Sequence, residues 1–267
     1  MKKNKFWILF GLTILLSLGS QLLAQANRIL TLPPTAQVSS VGNVGLPFMN
    51  PARNPMMKDM FGFSRVNWMQ NITDDMFYTH LSFKRQQFRF NMLAFNYGEQ
   101  LETNDAGVVT GEFTPTSSVW SMSWGGKIKK YNVGATAKLI SHDLYSQKTL
   151  GAVFDVATYL PKVWRDLDVD IQLSNFGFAP KFNDYKTELP TSLNVAMTYP
   201  YKQWTFYEQH NIFKKFHTMG GGVMYNYNNQ IFGRGGYYTD KTHDLQYLTF
   251  GVGMKYDKYL INMSYIY

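Results

Sequence analysis

From Met60 to the last residue, apolar and polar side chains take turns along the chain. In residues 131–139, Tyr131, Val133, Ala135, Ala137 and Leu139 alternate with Asn132, Gly134, Thr136 and Lys138. Successive side chains on an extended strand point to opposite faces, so a period of two specifies a strand with one apolar and one polar side. The pattern returns in Phe88, Phe90 and Met92 against Gln87, Arg89 and Asn91, and in Trp120, Met122 and Trp124 against Ser121, Ser123 and Gly125. It returns again in Ala152, Phe154 and Val156 against Gly151 and Asp155, and in Leu167, Val169, Ile171 and Leu173 against Asp168, Asp170, Gln172 and Ser174. Thirteen such runs can be counted between Met60 and Tyr267, with the alternation poorest in residues 203–212 and 230–238. No segment of sufficient length carries the 3.6-residue period of a helix, so the chain is expected to be all-β.

Composition bears on what the apolar faces meet. Of the 267 residues only 16% are charged, while 45% are hydrophobic and 16% aromatic. The mean hydropathy is nonetheless −0.25, so apolar residues are interleaved with polar ones rather than gathered in blocks. A transmembrane β-barrel has this composition, because lipid-facing and lumen-facing residues alternate and aromatic girdles mark both interfaces. The connections point the same way. Those after Lys84, Gly126, Leu160, Tyr199, Asn226 and Tyr256 are short or moderate and often basic, while those after Asn96, Ser141, Asn175 and Tyr238 are mostly longer and polar. Outer-membrane barrels alternate short periplasmic turns with longer outer loops, a parity that a soluble sandwich has no reason to keep.

The expected architecture is therefore a transmembrane antiparallel β-barrel. Phe88, Trp120, Val133 and Phe154 are expected to face lipid. Arg89, Asn132, Lys138, Asp155, Asp168 and Asp170 are expected to face the lumen, with Asn91 and Lys255. That set carries both signs, which suits a salt-bridged wall around a plug better than an open conduit. Trp68, Trp120, Trp124, Tyr159, Trp164, Tyr199, Tyr256 and Tyr259 are candidate interface anchors. Counting strands leaves a discrepancy: bacterial single-chain barrels have even strand numbers, and thirteen is odd. Either a strand is missed, or two weak runs are miscounted, or the chain stops one strand short of closure. The aromatic Tyr267, with Ile261, Met263 and Tyr265 on its face, resembles the last residue of complete barrels and favours a miscount.

The N-terminus divides from the rest. Lys2, Lys3 and Lys5, an apolar run from Phe6 to Leu23, and Ala24-Gln25-Ala26 form the three parts of a secretory signal peptide, expected to span 1–26. Residues 27–58 hold Pro33, Pro34, Pro47, Pro51 and Pro55 with Gly42 and Gly45, a composition that interrupts helices and ladders alike, and read as an irregular segment preceding the strands of 59–267.

Several function classes are disfavoured. The net charge is +8, but the basic residues are scattered and the densest block is Lys127-Ile128-Lys129-Lys130, so nucleic acid is not an expected partner. There is no cysteine, hence no disulfide, thiolate metal site or lipid-modified Cys. His142-Asp143 lies near Ser141 and Ser146, and Asp240, His243 and Asp244 cluster, but these read as residues of polar loops without the orienting partners or rigidity of a catalytic or metal site. Gly220-Gly221-Gly222 and Gly235-Gly236 precede no helix that could present its N-terminus to a phosphate, and glycines in strands more often mark bends, bulges or close packing. No catalytic residue, metal ligand or cofactor is expected.

One resemblance runs through much of the chain. The series is Ile29-Leu30-Thr31-Leu32-Pro33-Pro34-Thr35-Ala36-Gln37-Val38, Gly42, Asn50-Pro51-Ala52, Asn96-Tyr97-Gly98, Gly107, Thr110-Gly111-Glu112-Phe113 and Ser123-Trp124-Gly125. It continues with Gly134-Ala135-Thr136-Ala137-Lys138, Ala152-Val153-Phe154-Asp155-Val156 and Leu189-Pro190-Thr191-Ser192-Leu193. In this order, over residues 29–200, it resembles the PorV/PorQ family of outer-membrane proteins of the type IX secretion system, and within it the PorQ-like branch. The resemblance implies a FadL-like barrel of about fourteen strands whose N-terminal segment, here with Pro33, Pro34, Asn50 and Pro51, lies in or near the lumen. It also implies a non-enzymatic role in the outer membrane, with other secretion components or cargo proteins and outer-membrane lipid as partners. A FadL-like transporter of hydrophobic molecules is the alternative, and it requires an apolar pocket in the lumen.

Overall fold

In the computed structural model, residues 27–67, 75–104, 106–144, 147–182, 185–242 and 244–267 are described. Residues 1–26, Trp68 and His243 lie outside this set, and with them the expected signal peptide and one candidate anchor. Seventeen strands follow in chain order among the described residues. They are β1 (Met60–Asn67), β2 (Met76–Arg85), β3 (Phe88–Tyr97), β4 (Gln100–Thr103), β5 (Val109–Phe113), β6 (Thr116–Ile128), β7 (Tyr131–Leu144), β8 (Gln147–Trp164) and β9 (Leu167–Phe178). Then come β10 (Lys181–Phe182), β11 (Tyr185–Lys186), β12 (Ser192–Tyr201), β13 (Trp204–Phe213), β14 (His217–Tyr227), β15 (Ile231–Asp240), β16 (Leu245–Tyr256) and β17 (Tyr259–Ile266). Thirteen of them form one antiparallel sheet in the order β1-β2-β3-β6-β7-β8-β9-β12-β13-β14-β15-β16-β17. All thirteen alternating runs become strands of this sheet, including the two with poor alternation. The other four strands are two small hairpins, β4–β5 and β10–β11, in the longer connections.

At one end of the sheet the strands are joined by tight turns, and Gln86, Lys129, Arg165, Lys202 and Asp257 adopt left-handed backbone there, as tight hairpin turns require. The other end carries the longer connections, although two are shorter than the sequence suggests. Beyond Ser141 the chain stays extended: His142 pairs with Thr149 and Leu144 with Gln147, leaving only residues 145–146 between strands. The polarity of His142 and Asp143 reads as a loop, but hydrogen-bond pairing tolerates polar side chains, so the strand simply outlasts its alternating apolar pattern.

The two faces differ as the alternation requires. Phe88, Trp120 and Phe154 are exposed on one face, while Arg89, Asn132 and Asp155 are buried on the other. The buried face curls around residues 27–58. The turn Pro51–Met56 lies against β6, β7 and β8, the turn Leu46–Met49 against β9 and β12, and the turn Ala36–Ser39 against β16 and β17. On the far side, Tyr78 of β2 donates its hydroxyl to the Pro33 carbonyl at 2.8 Å. One short segment thus touches strands from β2 to β17, which a flat sheet could not allow.

Residues 27–58 are less irregular than their composition implies. Four helical turns, Arg28–Thr31, Ala36–Ser39, Leu46–Met49 and Pro51–Met56, succeed one another. Each is four to six residues long, too short to show a period. The Thr35 side chain caps the second by accepting from the Val38 N–H, and Asn50 caps the fourth by accepting from Ala52, as N-cap side chains do. Pro47 and Pro51 sit in first turns, where the missing N–H costs nothing.

β1 and β17 are the two edges, and among the described residues no pairing joins them. The expected fourteenth strand is not found among the described residues.

Candidate functional site: the polar inner face and its seated segment

The inner face is built from side chains that satisfy one another in groups. In the first group, Arg53 donates through Nε and Nη2 to the two carboxylate oxygens of Asp170, at 2.8 and 2.7 Å. Its guanidinium stacks 3.9 Å above the Tyr159 ring and lies 3.8 Å from Asp168, which accepts the Tyr159 hydroxyl at 2.7 Å. Asn50 donates to the same Asp170 at 2.8 Å and to the Thr158 carbonyl at 3.0 Å. A bidentate arginine–carboxylate pair with a stacked ring is a geometry lysine cannot supply. Asn50, Asp168 and Asp170, three residues picked out in the sequence, therefore converge on Arg53, which was not.

The second group surrounds Lys138. Its ammonium lies 2.7 Å from Asp155 and donates to Asn175 at 2.7 Å. Asn175 belongs to a bulge, where the β8–β9 register shifts between Phe154 and Val156, and its N–H donates to Asp155 at 2.9 Å. Gln172 donates to Asp155 and to Ser174, and Asn194 donates to Ser174. This is the salt-bridged wall expected from the mixed charges.

The third group holds Asn27. His142 bonds Ser117 through Nδ1 at 2.6 Å and the Asn27 side-chain oxygen through Nε2 at 3.0 Å, while Asn27 donates to Thr187 and to the Glu188 carbonyl. The series Ser–His–Asn has the connectivity of a nucleophile, a base and an orienting group. Here Ser117, His142 and Asn27 are all sealed from solvent, and Ser117 also bonds the Tyr97 hydroxyl, so the arrangement works as a tether for the start of the segment. His142 is thus a buried strand residue rather than the loop residue its neighbours suggest.

Arg89 is buried and donates to the Phe48 carbonyl at 3.0 Å; Asn132 is buried and donates to the Tyr159 carbonyl at 3.2 Å. Lys255 has the parity of the inner face but is exposed at the end of β16, and Tyr159 faces inward beneath Arg53 rather than outward as an anchor. Lys84 is buried and caps the Met57 carbonyl and Asp59 where the segment passes into β1. The Gln86 N–H and the Lys84 ammonium hold the Asp59 carboxyl below its usual range.

Glycines let the segment lie directly on the strands. A Cβ at Gly134 would meet the Ala52 nitrogen at 2.4 Å, and one at Gly220 would meet the Gly42 carbonyl oxygen at 2.0 Å. Close backbone approach is thus the role of Gly220, as in-strand glycines suggest.

Between the segment and the sheet a cavity of about 360 Å³ remains. Pro33 and Pro34 line it beside Leu30, Leu32 and Leu46, while the strands contribute His80, Ser121, Gln172, Asn194, Gln209 and Asn211. Its walls are predominantly polar on the sheet side and apolar on the segment side. Among the described residues no group of His, Asp or Glu is arranged to hold a metal ion. Comparison with protein-family models and with curated proteins produced no match.

Proposed function

We propose that this chain is a non-enzymatic outer-membrane β-barrel of the type IX protein secretion system, binding partner proteins for export or surface attachment of cargo. The observation that carries the membrane part is the outer face. Phe61, Phe83, Phe90, Met122, Leu139, Phe206, Leu248, Phe250 and Met263 are exposed on strands from one edge of the sheet to the other. A monomer in water rarely exposes a contiguous apolar patch larger than a few hundred Å², whereas a lipid-facing barrel wall must. Tyr131, Tyr201, Trp204, Tyr227, Tyr256 and Tyr259 are exposed near the tight-turn end, where interface aromatics belong.

The secretory part rests on the family resemblance and is supported by the seated segment. A lumen filled by residues 27–58 suits a scaffold better than a conduit. The importer reading asks for an apolar pocket, and only the segment side of the cavity, with Leu30, Leu32, Pro33, Pro34 and Leu46, meets that demand, while its sheet wall is mainly polar.

The longest outer connection holds the β4–β5 hairpin, with Leu101, Val108 and Val109 exposed on it. The charge of Glu112 raises the Glu99 carboxyl at its base. Deleting residues 104–111 is expected to leave assembly intact, read as heat-modifiable migration from an outer-membrane fraction, while reducing surface attachment of cargo in whole cells. Full attachment without the hairpin tip would remove this loop from the function.

A further inference from the structure

We propose that β1 and β17, which no strand pairing joins among the described residues, leave between them a gap that receives one extended strand of a partner protein, pairing antiparallel with both edges at once. The inference rests on the partner-binding barrel reading and names the kind of contact it makes. On both edges alternate residues turn their backbone donors and acceptors away from the sheet, with no strand partner among the described residues. Exposed edges of this sort invite strand addition, and within lipid an unsatisfied backbone group has no water to bond, so pairing is strongly favoured.

Direction decides what fits. With every pairing in the sheet antiparallel and thirteen strands in order, β1 and β17 run the same way, from the tight-turn end to the loop end. Joined directly they would make a parallel pair, which is slightly less stable per residue. One strand running the opposite way is antiparallel to both and restores an even count. The edges are also near each other around the curl. Tyr78 on β2 bonds Pro33, the turn starting at Ala36 packs on β17, and the intervening residues span at most about 11 Å.

The edges specify the guest. Both are eight residues long. On the outer face Phe61 and Phe63 flank the gap on one side, and Ile261, Met263 and Tyr265 on the other, all exposed. The inner-face parity is held by Gly62 and Ser64 on β1 and by Asn262 and Ser264 on β17. The guest is therefore about eight residues of alternating pattern, apolar outward and small or polar inward. Charge adds one more requirement. Arg234 is buried, has no carboxylate partner among the described residues, leaves its Nε unpaired, and reaches across to the Asn262 side-chain oxygen at 2.9 Å. An acidic side chain at the inward guest position beside Asn262 would complete it.

The absence of cysteine makes the test clean. Ser64→Cys is combined in turn with Leu260→Cys, Ser264→Cys and Ile266→Cys, and membranes from cells expressing the full chain are oxidised. A seated guest keeps the edges two strand spacings apart, about 9.5 Å, beyond the roughly 7 Å that a disulfide can bridge. No intramolecular disulfide is expected in any pair. In parallel, a photo-cross-linking side chain placed at Phe63 or at Met263 is expected to trap the same protein, through residues of one alternating stretch, and Arg234→Leu is expected to lower both yields several-fold while heat-modifiable migration persists. A disulfide between the edges would overturn the proposal, as would adducts with unrelated proteins, with a second copy, or with residues 1–26 of the chain itself. Cargo attachment is scored in the same strains. Normal attachment with a shared adduct at both edges supports the seam and removes only the secretory role, so the two readings can fail separately.

Discussion

Arg53 is the only charged residue between Ile29 and Met57, and its shortest contacts are the bidentate pair with Asp170. Removing one member of a buried pair leaves the other charged and dry, a loss of about 3–5 kcal/mol. Asp170→Ala is therefore expected to lower the denaturant midpoint in detergent substantially. Asp168 at 3.8 Å offers Arg53 a second carboxylate, which places the loss at the lower end of that range. Asp168→Ala removes only the longer contact and is expected to cost less than half as much. Equal costs would show that Arg53 is not anchored as its geometry indicates. At this scale the strand-borne half of the cluster was legible, because Asp168 and Asp170 fall on the polar parity of a clean alternation. The segment-borne half was not, since a lone arginine among prolines has no period to place it. The same limit applies to His142: alternation reports a face, and it cannot say that two polar neighbours belong to a strand that continues past its apolar residues.

The elements meet through backbone rather than side chains where the segment crosses the strands. Gly134 lies under Pro51 and Ala52, and the atoms nearest to its missing Cβ, the Ala52 nitrogen and the Pro51 carbonyl carbon, belong to backbone, which cannot rotate away as a side chain can. Gly134→Ala is expected to lift the Pro51–Met56 turn off β6 and β7 while leaving the strand pairing intact. Limited proteolysis should then cut within residues 50–57 faster than in the parent, with migration of the folded sheet unchanged. Gly233→Ala is the control, because nothing lies within 4 Å of a Cβ there and its backbone is unstrained. Equal protection of the segment in both variants would mean that it is held elsewhere. The existence and order of the thirteen sheet strands were legible, since a period of two fixes each run, but their ends were not: β7 and β8 run three to four residues past the alternating apolar pattern. The four helical turns and the two loop hairpins were not, because elements of two to six residues hold too few repeats for a pattern to rise above chance.

At the scale of the whole molecule, alternation shows that the sheet has two faces but not whether its edges meet, and for the same reason it does not say what the outer face touches. That question has a direct test in depth. Along β16, Leu248, Phe250, Val252 and Met254 point outward and are exposed to about the same degree, 46%, 53%, 59% and 52%. In water, arginine at any of them would change stability within about ±0.5 kcal/mol, because surface substitutions away from special features are nearly neutral. In a bilayer the four sites are not equivalent. Phe250 and Val252 lie near the middle of Leu245–Tyr256, whereas Met254 is next to the tight turn and its aromatic neighbours Tyr256 and Tyr259. Arginine on the lipid face costs about 2–4 kcal/mol at the midplane and about 0–1 kcal/mol near an interface. Unfolding from lipid vesicles is therefore expected to rank Phe250→Arg and Val252→Arg as strongly destabilised and Met254→Arg as close to the parent. A flat profile across the four sites would mean that this face never meets hydrocarbon, and the barrel reading would fall with it.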